Sequence, residues 1–137
     1  MTPKILAKKI ANLTLTKKAH GVIIMDLKKI TDITDYFVLC SADSDTQVKA
    51  IADAVIDGTD EIGMPAWRTE GLTQRQWIII DFIDVVLHVF LKEARHFYNL
   101  EKLWGDAKIE TVVDKPPAPK PKTTKTTKKK VERKSKK

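Results

Sequence analysis

One cysteine, five glycines and three histidines in 137 residues close off several kinds of chemistry. A single cysteine excludes an intramolecular disulfide, and the setting of Cys40 in YFVLCSA reads as a small buried side chain in a strand. The glycines nowhere gather into a phosphate-cradling loop. His20, His88 and His96 with one cysteine lack the close spacing and four ligands of a structural zinc site. No serine or cysteine has a recognisable base and orienting partner. No apolar run approaches the roughly 18 residues of a membrane helix, and the first residues do not read as a signal peptide. The expectation is a soluble cytoplasmic protein with no metal, no cofactor and no membrane contact.

The last 24 residues, DKPPAPKPKTTKTTKKKVERKSKK, lack aromatics, and Val131 is their only large aliphatic. Such a segment cannot form a core and is expected to be disordered. It holds 11 of the 25 lysines and arginines and 2 of the 18 acidic residues, a net charge of +9. Residues 1–113 keep 14 basic and 16 acidic residues, net −2, so the basic character belongs to the tail. The division is a single domain over 1–113, a common domain size, and a basic tail over 114–137.

Within the domain, Thr2 and Pro3 start a helix whose Leu6, Ile10 and Leu13 share one stripe. GVIIMDL (21–27) and DYFVLCSA (35–42) read as strands. Ser44 with Gln47 is a capping-box pattern, and Val48, Ile51, Ala52, Val55 and Ile56 continue it as one buried helical stripe ending near Gly58 or Gly63. AWRTEG reads as a short strand, and LKEARHFYNLEKLWG as a final helix closed by Gly105. The order α, β, β, α, β, β, β, α predicts an α/β fold with a mixed five-stranded sheet packed by helices.

The most informative stretch is WIIIDFIDVVLHVF (77–90). Paired as a hairpin around Ile83 and Asp84, it sets Trp77 opposite Phe90, Ile79 opposite His88, Asp81 opposite Val86 and Phe82 opposite Val85. Strand side chains alternate between faces, so Ile78, Ile80, Phe82, Val85, Leu87 and Val89 form an apolar face. The other face carries Trp77, Ile79, Asp81, Val86, His88 and Phe90. A face mixing large apolar groups with ionisable ones is either covered by a second layer or reserved for a partner. In the last helix the spacing places Phe97, Leu100 and Trp104 in the core, while Arg95, Tyr98 and Glu101 point elsewhere. Asp43 and Asp45 form the D-x-D pair of some metal-dependent transferases, although helix capping accounts for both without a metal.

The spans DYFVLCSADSDTQVKAIADAV, EG at 70 and 71, and WIIIDFIDVVLHVFLKEARHFYNLEKLWGDA resemble the ribosomal silencing factor family, also called the Iojap family, over about residues 5–107. The resemblance implies a nucleotidyltransferase-like topology without known catalysis. It also implies a translational repressor that binds the fourteenth large-subunit ribosomal protein and blocks joining of the small subunit. On that reading Glu70, Trp77, Ile79, Asp81, Val86, His88 and Tyr98 are the candidate partner-binding residues. Lys128, Lys129, Lys130 and Arg133 of the tail are candidate contacts to ribosomal RNA phosphates, and the protein is expected to be a monomer or weak homodimer. The rivals are a metal-dependent nucleotidyltransferase using Asp43, Asp45 and Asp81, and a general RNA-binding protein acting through its tail. One departure stands out. The family usually has glycine before the hairpin Asp, where this chain has Ile83, and a β-branched residue disfavours the positive φ that glycine permits. The turn type stays open.

Overall fold

The computed structural model describes residues 1–112. Its elements are α1 (Pro3–Leu15), β1 (His20–Asp26), β2 (Tyr36–Ala42), α2 (Asp45–Glu61), β3 (Arg68–Glu70), β4 (Trp77–Asp81), β5 (Val85–Leu91), α3 (Lys92–Tyr98), α4 (Leu100–Leu103) and β6 (Lys108–Thr111). The strands form one mixed sheet in the order β3-β4-β5-β2-β1-β6. Strands β2 and β5 run parallel, and the other neighbouring pairs are antiparallel.

Both long helices start as their residues dictate. Thr2 Oγ1 accepts a hydrogen bond from Ile5 N, with Pro3 in the first turn where its missing N–H costs nothing. Ser44 Oγ accepts from Gln47 N, and Gln47 Oε1 accepts from Asp43 N at 2.7 Å. The amide of Gln47 also donates to the carbonyls of Lys17 and Lys18, tying the start of α2 to the loop after α1. Helix α2 runs straight through Gly58, where a Cβ would stand 2.6 Å from Leu13 Cδ2. Glycine there lets α1 and α2 approach closely, which offsets its poor helix propensity.

Helices α1 and α2 cover one face of the sheet. Leu6, Ile10, Val48, Ile51 and Val55 pack there against Val38, Cys40, Ile78, Ile80, Val85, Leu87 and Val89, all buried. Each such aliphatic contributes about 1.5–3 kcal/mol relative to exposure. Cys40 lies in this layer, where burial pushes its thiol pKa up to about 12 and leaves it inert.

Two expectations need correction. The sheet has six strands, not five. Strand β6 was missed because all four of its side chains are exposed and its sequence, KIET, has no apolar run; backbone pairing with β1 holds it. The last helix is also two helices. Asn99, at φ 48° and ψ 61°, breaks it, and its side chain then caps α4 by accepting from Lys102 N at 3.3 Å. Asparagine tolerates this left-handed conformation better than most residues. The break turns Phe97 outward, leaving it 79% exposed, whereas Leu100 is buried and Trp104 half-buried as the spacing predicted.

Candidate partner-binding face

The hairpin has the register expected of it: Trp77 opposes Phe90, Ile79 opposes His88 and Asp81 opposes Val86. On the side away from α1 and α2, the residues Ile23, Met25, Leu27, Leu39 and Phe90 are buried with Ala94 of α3 and Leu100 of α4. This second layer closes the β1, β2 and β5 part of the face. Across β3, β4 and the turn end of β5 it stops: Trp77, Ile79, Asp81 and Val86 are half-buried and Glu70 is exposed. The face is therefore part core and part open surface.

Trp77 sits on the boundary. Its position is set from behind by Gly71, at φ +88°, where a Cβ would stand 2.1 Å from the Trp77 carbonyl oxygen. Its ring stacks on Phe90 at 5.0 Å and meets Tyr98 at 4.7 Å. Its indole Nε1 donates to His88 Nδ1 at 3.0 Å. Indole is a donor only, so Nδ1 must be the acceptor and the imidazole proton resides on Nε2. His88 is 6% exposed, and burial lowers its pKa to about 4, so it is neutral at physiological pH. Phe37 meets it edge-on at 4.5 Å. His88 Nε2 is buried without a hydrogen-bond partner among the described residues.

The sequence-derived residues thus divide. Trp77, His88 and Tyr98 form one aromatic cluster with Phe90. Glu70 and Ile79 continue it outward, since they are register partners between β3 and β4. Asp81 and Val86 oppose each other at the far end of the hairpin. His88 lies beneath the surface, where it orients Trp77. Asp81 has a structural duty of its own: Oδ1 accepts from Ile83 N at 2.7 Å. That bond holds the hairpin turn with Ile83 at φ +76°, which resolves the turn left open by the sequence. Lys128, Lys129, Lys130 and Arg133 lie outside the described residues.

Sequence reasoning missed two exposed apolar groups on α3 and α4. Phe97 meets the Tyr98 ring edge-on at 5.1 Å, and Leu103 on α4 is exposed. The signal was Asn99, whose tolerance of positive φ allows a helix break between Tyr98 and Leu100. Sequence reasoning also understated Arg95. Its guanidinium donates to the Gly21 carbonyl, to Ser41 Oγ and to Glu101 Oε2, locking α3 and α4 onto β1 and β2.

The D-x-D pair does not converge. Asp43 Oδ1 lies 2.9 Å from His20 Nε2 and 3.8 Å from Lys92 Nζ, while Asp45 is exposed in the first turn of α2. Among the described residues no three His, Cys, Asp or Glu side chains gather into a metal-holding group. None of the described helices is long and apolar enough to cross a membrane.

A family model described as "ribosomal silencing factor during starvation" matches residues 1–137. The chain belongs to the ribosomal silencing factor family. It is 44% identical over 93 residues to the ribosomal silencing factor of Bacillus subtilis (strain 168), covering 68% of this chain and 79% of that protein. It is 47% identical over 91 residues to that of Halalkalibacterium halodurans, covering 66% of this chain and 78% of the relative. A crystal structure of a Chromobacterium violaceum protein superposes with a TM-score of 0.75 at 31% identity, covering 83% of this chain and 95% of the other. Membership in the silencing factor family gives the chain a ribosome-associated role in silencing translation. The family is one of silencing factors and not of known enzymes.

Proposed function

We propose that this silencing factor is a cytoplasmic, non-enzymatic repressor that docks the open half of the Trp77 face onto the fourteenth large-subunit ribosomal protein and so blocks joining of the small subunit. The observation that carries the reading is the pinned, half-open aromatic cluster. Trp77 is fixed by Gly71, Phe90 and His88, while Tyr98 is 50% exposed above it. Large aromatics held in place before contact lose little conformational freedom on binding, which is why such residues dominate interface energetics. Glu70 beside the cluster and Asp81 at the far end of the hairpin add two carboxylates to the face, suited to a basic ribosomal surface, although Arg68 lies 3.4 Å and 3.9 Å from the two. The +9 tail adds a polycation able to meet ribosomal RNA phosphates.

The test follows from stoichiometry. Purified protein added to dissociated subunits should reduce re-formed particles in proportion to occupied large subunits, with no nucleotide required. Inactivation of many subunits by each protein molecule would indicate an enzyme and overturn the reading.

A further inference from the structure

A second charged feature lies on the other face of the sheet, at the edge away from β3 and β4. Helix α1 carries Lys4, Lys8 and Lys9 and no acidic residue. Between it and β6 lies a cleft of about 170 Å³, rimmed by Lys4, Lys8 and Lys108, with Ile24 and Tyr36 lining it among the strands. Lys4 and Lys8 are one helical turn apart and share a side of α1. Lys108 faces them from β6, where it is the register partner of Asp26 on β1.

The acidic residues in the cleft are Asp26 and Glu110. Asp26 is already engaged: its carboxylate accepts from Lys28 N at 3.0 Å and from Lys28 Nζ at 3.2 Å. The same ammonium lies 4.3 Å above the Tyr36 ring. Lys4, Lys8 and Lys108, in contrast, make no ion pair among the described residues. Counted over the lining residues, three lysines against Asp26 and Glu110, the cleft carries a net charge of +1, and Lys28 lies beside it on Asp26.

We propose that this cleft is a site on the folded domain for the phosphate backbone of RNA, distinct from the tail and from the Trp77 face. Lysine ammonium groups bind phosphate as point charges without demanding a bidentate geometry. Three such groups on two sides of an apolar floor suit successive phosphates on the rim and a sugar or base edge within. A ribosome-associated protein meets such a polyanion on the ribosome itself. Because the cleft and the Trp77 cluster occupy opposite faces, the domain can hold RNA and a protein partner together. The proposal stands independently of which ribosomal protein meets Trp77.

The test uses the full chain and a short RNA duplex of arbitrary sequence, with no ribosomal protein present. Amine-reactive labelling read by mass spectrometry should show Lys4, Lys8 and Lys108 protected by the duplex, while Lys49 and Lys102 keep their reactivity. The triple variant K4Q/K8Q/K108Q, melting as the wild type does because all three side chains are exposed, should bind RNA with a slope of log affinity against log salt shallower by roughly 2 to 3. Protection confined to residues 114–137, or an unchanged slope, would overturn the site. Equal protection by ATP at the same phosphate concentration would also overturn it, showing a pocket for small anions in place of an RNA site.

Discussion

The two faces of the β4–β5 hairpin come from the same fourteen residues and meet opposite fates. On one, Ile78, Ile80, Val85, Leu87 and Val89 are fully buried beneath α1 and α2. On the other, the short helices α3 and α4 reach as far as Phe90 and leave Trp77, Ile79, Asp81 and Val86 half-open. A purely aliphatic face has no use except as core. A face with an indole, an imidazole and a carboxylate can stay partly open, since Trp77 donates to His88 and Asp81 accepts from the turn, while His88 Nε2 has no partner among the described residues. What distinguishes core from open surface here is where the covering helices end.

Placing the same charge on each face separates the two most sharply. Ile80→Asp buries an unpaired carboxylate beneath two helices and should cost several kcal/mol, on the order of 3 or more, enough to unfold a domain of marginal stability. Ile79→Asp, one residue earlier and half-exposed, should leave a cooperative thermal transition only a few degrees lower. Equal melting of the two variants contradicts the division of faces.

The next effect is pH-dependent. His88 binds a proton in the unfolded chain near its ordinary pKa of 6.5 but in the fold only near 4. Below pH 6.5 the unfolded state therefore takes up a proton that the folded state refuses, and stability falls as pH drops toward 4. The loss is about 3 kcal/mol in full. Urea midpoints measured from pH 7 to pH 4.5 should show this decline. His88→Gln, which retains an acceptor for Trp77 Nε1, should flatten it.

A smaller gain is expected at the turn. Ile83 holds φ +76° with a β-branched side chain that is 56% exposed, so its conformation is strained and its side chain contributes little burial. Ile83→Gly should stabilise the domain by about 1 kcal/mol, seen as a higher thermal midpoint.

Much of this was legible in the sequence because period and chemistry agreed. The alternation in 77–90 gave the hairpin register directly, and Ser44 with Gln47 marked the start of α2. The failures share a physical cause. Strand β6 is held by backbone pairing at an edge, and backbone pairing leaves no pattern in the side chains. Phe97 was placed in the core by extending one helical period across Asn99, where the backbone resets the phase. His88 could be placed on a face but not at a depth, because its burial is set by Phe37 and the aromatic cluster around it. The cleft between α1 and β6 was invisible for the same reason as β6 itself.

Whether the open half of the hairpin face meets the ribosomal protein, as proposed, is decided by Tyr98→Ala. The side chain is half-exposed and meets the Trp77 ring at a tilt, so its removal should change the thermal midpoint little. Affinity for the isolated fourteenth ribosomal protein, measured by calorimetry beside the wild type, should fall by about 2 kcal/mol, or roughly thirtyfold. Wild-type affinity in a variant that melts normally would move the interface off this face.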